Sequence, residues 1–263
     1  NMRDCREITK NIDTVFMCAA ISYGAPAMKS NPMEFVYPNI IMNANMLQAA
    51  YESRVKKFVF ISSSVVYPVR RFPCSEDDSL DLLPYKAYEC VAEMKRFSEK
   101  LCIMYATQVT KPMTIVIIRP SNIYGPYDDY NPGTSHVTAS LIKRVAQKDN
   151  PIRIFGDGKE ERDIIHIDDF LDGLLKALEY VTQGYEIFNI GYGESYSIRS
   201  ILKMLLINEY NPRIIHDPDE FPMIPKRKIN ISKIKTLLNF RPKMSTVIRL
   251  KETLKWYRKE YVN

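Results

Sequence analysis

Short apolar runs rich in β-branched and aromatic residues alternate with longer stretches of helical periodicity along almost the whole chain. TVFMCAA (14–20), KKFVFISSS (56–64), TIVIIRP (114–120), PIRIF (151–155) and EIFNIG (186–191) read as buried strands. Between them, apolar residues recur at helical spacing in the later part of 31–52, in 86–108, 134–148 and 167–181, and in SIRSILKMLLINEY after Ser197. Asp168 and Asp169 open the helix at 167 and complement its dipole, and Ser197 stands where an N-cap is expected. Two further helices are expected around 231–238 and 246–260. Such alternation implies an α/β fold, a parallel sheet covered by helices on both faces. In such sheets ligands bind beyond the carboxyl ends of the strands. Chemistry is therefore expected at Ala19-Ala20, at Ser62 to Ser64 and at Ser121-Asn122.

A doubly wound nucleotide-binding domain normally opens with a strand, a glycine-rich turn and a helix, where backbone N–H groups meet a pyrophosphate. Here the first glycine is Gly24, and neither G-x-G-x-x-G nor G-x-x-G-x-x-G occurs in the 263 residues. The chain starts in the middle of a β/α pattern. The expectation is a doubly wound sheet whose first strand and glycine loop are missing by N-terminal truncation.

Several functional classes fit poorly. The net charge of +6 is spread along the chain, with small clusters at Lys56-Lys57, Arg70-Arg71 and Lys226-Arg227-Lys228. These read either as a solvated surface or as a site for an anion such as a diphosphate. No zinc-finger spacing or arginine-rich arm suggests nucleic-acid binding. No apolar run has the length of a membrane span, and the polar start NMRDCREITKN is unlike a signal peptide. Five cysteines without a C-x-x-C pair, and three scattered histidines, point to reduced thiols and no metal site. A cytoplasmic location follows as the expectation.

The motifs, taken in order, resemble one family. PNIIMNANMLQAA, VKKFVFISSSVVYP, RPSNIYGPYDD, SHVTASLIKR and FGDGKEERDIIHIDD follow one another at the spacing of the extended short-chain dehydrogenases/reductases acting on nucleotide sugars, the NAD-dependent epimerase/dehydratase family. The similarity is strongest to its GDP-fucose-synthase-like epimerase/reductases. The resemblance implies a Rossmann-type sheet, with residues 1–125 as a partial dinucleotide-binding domain. Residues 126–263 would form mainly a small α/β substrate lobe, with 151–190 returning to the sheet. It also implies NAD or NADP as cofactor, a nucleoside-diphosphate sugar as substrate and a homodimer.

In that family a serine, a tyrosine and a lysine one helical turn after the tyrosine exchange a proton with a sugar hydroxyl, the lysine lowering the phenol's pKa. Ser63, four residues before Tyr67, matches the serine. The tyrosine and lysine can be placed in two ways. If Tyr85 is the tyrosine, Glu89 stands in the lysine's place. If Lys95 is the lysine, as the pattern Lys95, Glu99, Leu101 favours, Val91 stands where the tyrosine is expected, and Tyr88 lies two turns up the same face. The second reading is preferred, with Tyr88 as the acid/base candidate. His136 matches an epimerase histidine, as an acid/base or a substrate contact, whereas Val65 replaces the accompanying cysteine. Asn122 resembles a sugar-contacting asparagine, and Arg144, Arg162 and Arg227 resemble arginines that hold a diphosphate. Phe155 stands where an aromatic ring would cover the nucleotide. Cofactor contacts are expected from Ala19, Ala20, Asn39, Lys95 and Pro120. Two other readings stay open: a degenerate nucleotide-sugar-binding protein, and a 4,6-dehydratase. The second is disfavoured because SSSVVYP carries no acid.

Overall fold

The structure, a computed structural model, describes residues 1–22, 31–69, 73–217 and 224–262. Gly24 and the Arg70-Arg71 cluster lie outside them. In chain order the first half contains α1 (Met2–Ile8), β1 (Thr14–Met17), α2 (Met33–Glu52), β2 (Lys57–Ile61), α3 (Glu89–Thr107), β3 (Thr114–Pro120) and β4 (Asn122–Tyr124). There follow α4 (Val137–Ala146), β5 (Ile152–Phe155), β6 (Glu161–His166), α5 (Ile167–Tyr180), β7 (Tyr185–Ile190), β8 (Ser195–Ser197), α6 (Ile198–Leu206), β9 (Ile214–Asp217), β10 (Lys226–Arg227), α7 (Ser232–Leu238) and α8 (Thr246–Tyr261).

Strands β1, β2, β3 and β7 pair in that order, all parallel. Their side chains alternate between two cores, as the pleat requires. Phe58, Phe60, Ile115 and Ile117 face Leu47 of α2 and Cys102 of α3. Val59, Val116 and Ile118 face Phe170 and Leu174 of α5 and Ile234 of α7. With both faces covered, these strands carry the continuous apolar runs seen in the sequence. A third core gathers Leu141 and Val145 of α4, Ile152 and Ile154 of β5, Ile201 and Leu205 of α6, and Leu250 and Leu254 of α8. A second sheet runs β10-β6-β4 in parallel, with β8 antiparallel on β6, and β5 pairs β9.

The expected α/β architecture is present, with differences at the element ends. β1 stops at Met17 rather than Ala20 and β2 at Ile61 rather than Ser64, so the small polar residues after each strand form loops above the sheet. Helix α2 starts at Met33 and accommodates Pro38, its Phe35 being 2% exposed. One turn of 3₁₀ helix (Lys86–Tyr88) precedes α3. Ser197 caps α6 as expected, its hydroxyl accepting from the Ser200 N–H at 3.1 Å. Among the described residues no helix is long and apolar enough to cross a membrane.

Candidate active site

The strand ends open into a cavity of about 880 Å³. Ala19 and Ala20 after β1, Ser63 after β2, Lys95 on α3, Pro120 ending β3 and Asn122 opening β4 all line it, as do Asn39 and Tyr88. From the chain after β4 come His136, Arg144, Phe155, Arg162 and Arg227. Val65 and Val91 also face it, so the two valines that replace expected acid/base groups stand at the cavity wall. Tyr85 is not among the lining residues. Its ring lies against Tyr88 at 6.1 Å between centroids.

The wall formed by the strand-end loops and helix α2 is held by backbone contacts. Asn39 is 3% exposed, and its amide is engaged with the chain after β1. It accepts from the Ile21 N–H at 3.0 Å and donates to the Ile21 and Phe35 carbonyls at 2.9 and 2.7 Å. With both amide hydrogens used, Asn39 shapes the Ala19–Ile21 loop instead of offering a donor to a ligand. The Ser63 hydroxyl accepts from the Val65 N–H at 3.2 Å and caps a short 3₁₀ turn. Lys95 donates to the Ile61 carbonyl at 2.8 Å, with its ammonium 5.0 Å from the centre of the Phe60 ring. This pins the cation beside the residues that lead into Ser63.

Burial lowers the Lys95 pKa to about 8, with Glu99 opposing the shift. Between pH 8 and the lysine's ordinary value near 10.5 the folded chain has released a proton that the unfolded chain still holds. Stability from this group therefore rises with pH through that window, and below it the desolvated charge is a constant cost. Lys95→Met is expected to be more stable than wild type at pH 7 by about 1–3 kcal/mol, an advantage that shrinks as pH rises from 8 toward 10.5. Thermal melts of both proteins across that range check this; a pH-independent difference would contradict it.

Beneath the loops lies a buried polar network. The Arg119 guanidinium in β3 grips both carboxylate oxygens of Glu99, at 3.0 and 2.7 Å. Glu99 also accepts from the Ser62 hydroxyl. Arg119 reaches the Tyr67 oxygen at 3.0 Å, and that hydroxyl donates to Asn189 of β7 at 2.7 Å. Burial pushes the Tyr67 phenol up, away from any titration near neutrality. The network ties β2, β3, β7 and α3 together directly below Ser63 and Lys95. The sequence reading missed it, although an arginine inside the apolar strand TIVIIRP is a signal, because a buried cation demands a partner.

The opposite wall carries positive charge. β10 pairs β6 so that Arg227 stands in register with Arg162. Arg162 is 6% exposed, and its Nη1 donates to the Glu161 and Ile224 carbonyls at 2.8 and 2.7 Å. It shares a hydrogen bond with the Tyr88 phenol, and the Arg227 guanidinium lies over the Tyr88 ring at 5.1 Å. The Arg227 Nη2 is buried with no hydrogen-bond partner among the described residues. The neighbouring carboxylate, Glu161, is taken by Lys226 at 2.7 Å. Burial lowers both arginine pKa values, that of Arg227 to about 10, and the Arg162 charge adds to the shift at Arg227.

The remaining predicted residues line other parts of the cavity. Arg144 is occupied by the Arg153 carbonyl. Phe155 is 48% exposed, leaving a ring face open to a planar group. His136 caps α4 without a side-chain hydrogen bond to it. Nearby, burial pushes the Asp128 carboxyl up, and its Oδ2 is buried without a hydrogen-bond partner among the described residues. Gly125, at φ +154°, lets β4 turn into this loop, since a Cβ there would sit 2.5 Å from Ile167 Cγ2.

Comparison with known proteins agrees with this geometry. The model of the NAD dependent epimerase/dehydratase family matches residues 1–191. GDP-L-fucose synthase of Escherichia coli is 26% identical over 276 residues, covering 98% of this chain and 85% of that protein. UDP-N-acetyl-alpha-D-glucosaminuronate decarboxylase of Bacillus cytotoxicus is 32% identical over 260 residues, covering 96% of this chain and 78% of that protein. The structure of UDP-glucose 4-epimerase from Thermotoga maritima with UDP-glucose has a TM-score of 0.85 at 25% identity, covering 98% of this chain and 82% of that one. A parallel sheet with loops lining a cavity at its strand ends, and a family match over most of its length, place this chain in the NAD dependent epimerase/dehydratase family.

Proposed function

We propose that this chain acts on a GDP- or UDP-hexose as an epimerase or reductase, with the sugar lying between the strand ends and the arginine wall. The observation that carries the reading is the in-register pair of buried Arg162 and half-buried Arg227, whose buried Nη2 has no hydrogen-bond partner among the described residues. Two like charges held in low dielectric repel each other and lack water, so the arrangement becomes favourable when an anion bridges them. A diphosphate has the charge and the oxygen spacing for two guanidinium forks. The exposed ring of Phe155 would then cover the base, and Asn122 would meet the sugar.

Cofactor residues at the strand ends fit NAD. The walls at Ala19, Ala20 and Pro120 are small, and Lys95 has three donors but one acceptor among the described residues. When bound, NAD supplies a hydride acceptor or donor. The protein's part is to aim the sugar hydroxyl at Ser63, to exclude water with the apolar faces of Val65 and Val91, and to hold positive charge at Lys95 where an alkoxide develops. His136 stands on the other wall as a contact for the sugar or its proton. Because no carboxylate follows Ser63 in SSSVVYP, water elimination of the 4,6-dehydratase kind receives no support here. The proposal includes a cytoplasmic homodimer, with exposed Phe97 and Met104 on α3 available to a second copy.

Saturating UDP, GDP, UDP-glucose or GDP-mannose tests the reading by thermal shift. At a hundred times Kd a bound ligand adds about 2.7 kcal/mol, or roughly 5 °C or more for a chain of this size. A melting temperature unmoved by all four compounds would remove the nucleotide-sugar assignment.

A further inference from the structure

Helix α3 carries a displaced tyrosine. Lys95 lies seven residues after Tyr88, about 10 Å along the helix axis at the usual rise. The residue one turn before Lys95, where a phenol would meet its ammonium, is Val91, and Val91 lines the cavity. The contacts of Tyr88 lie elsewhere. Its hydroxyl is hydrogen-bonded with Arg162, and its ring lies under the guanidinium of Arg227 at 5.1 Å. Tyr85 packs against the same ring at 6.1 Å.

We propose that Tyr88 is a positioning residue of the anion site, holding Arg162 and Arg227 side by side for a diphosphate, and not the proton-transferring phenol. The argument is electrostatic. The face of a tyrosine ring is negative and attracts a guanidinium, and more so where water is excluded. The phenol oxygen accepts from the second guanidinium. One side chain thus adds to the Glu160 carboxylate, which acts on Arg162, in offsetting the two like charges, and keeps both forks turned toward the cavity. A carboxylate in that place would saturate the arginines and compete with an anionic ligand; a neutral ring does neither. Placement of Tyr88 at the N-cap of α3 lets it reach the arginine wall, which a residue at position 91 faces from one turn further along.

This inference rests on the diphosphate reading, and its test separates the two. UDP is titrated calorimetrically into the full chain, into Tyr88→Phe and into Tyr88→Leu. Tyr88→Phe keeps the ring under Arg227 and loses the oxygen that Arg162 reaches; its affinity is expected to fall about 3- to 10-fold. Tyr88→Leu loses both and is expected to fall at least about 10-fold, with partial rescue by Phe relative to Leu as the signature of the ring. With a nucleotide-sugar substrate in hand, the Tyr88→Phe loss is expected in KM with kcat largely kept. A proton-transferring phenol would instead lose kcat by roughly 100-fold or more at unchanged UDP affinity. Wild-type affinity for UDP in both variants overturns the inference alone. Failure of the wild-type chain to bind either UDP or GDP overturns the diphosphate reading and this inference with it.

Discussion

Replacing Arg162 and Arg227 together by Met is expected to abolish nucleotide binding and at the same time to raise the melting temperature of the ligand-free chain. Hydrogen bonds to charged groups contribute about 1.5–3 kcal/mol each, so losing two forks costs the UDP complex at least about 3 kcal/mol, more than 100-fold in affinity. The ligand-free chain responds with the opposite sign. Two guanidinium groups in register, Arg162 buried and Arg227 half-buried with an Nη2 that lacks a partner among the described residues, are a standing electrostatic cost. Replacing buried charge by an apolar side chain of similar volume stabilises other proteins by about 1–4 kcal/mol. Part of that gain is offset because the Glu161 and Ile224 carbonyls lose the Arg162 donor. Calorimetry with UDP and thermal melting of the free protein read the two halves. Affinity within a few-fold of wild type, or a free chain that melts lower, would mean that the pair serves structure.

Breaking the ion pair below the site is expected to have the largest effect on stability. Glu99 and Arg119 are 3% exposed each, and the guanidinium meets both carboxylate oxygens. Removing one partner leaves an uncompensated buried charge, which costs about 3–5 kcal/mol. That is a large share of the roughly 5–15 kcal/mol by which whole domains are stable. Arg119→Met alone, or Glu99→Leu alone, should lower the urea midpoint sharply. The double variant should recover part of the loss, since neither charge is then stranded. Equal losses in the two singles and an additive loss in the double would show that the pair is not coupled. The Ser62 hydroxyl donates to Glu99 and the Lys95 ammonium to the Ile61 carbonyl, so the same variants should loosen Ser63.

These two sets of residues differ in how well they can be read from sequence, and the reason is physical. Periodicity reports burial of a face, so the runs FVFI and TIVIIRP and the helices around 167–181 and 246–260 were legible, as were the small residues that follow the strands. Arg162 was singled out only through resemblance, whereas the cluster Lys226-Arg227-Lys228 read equally as a solvated surface or as an anion site. Their meaning comes from the pairing of β10 with β6 across more than sixty residues of chain. Strands of two to four residues, such as β4, β8 and β10, are too short to show a period. The Glu99–Arg119 pair joins a helix to a strand, and only the packed fold shows that both are buried. For Tyr88, helical spacing from Lys95 suggested a proton-transfer partner, and spacing alone could not show that the folded chain also brings it against Arg162, Arg227 and Tyr85.

A crystal structure of the chain with UDP tests the central claim most directly. The expected density places the two phosphates between Arg162 and Arg227, with an oxygen within hydrogen-bond distance of Arg227 Nη2 and the uracil against Phe155. Phosphates bound elsewhere, with both guanidinium groups still facing an empty wall, would contradict it.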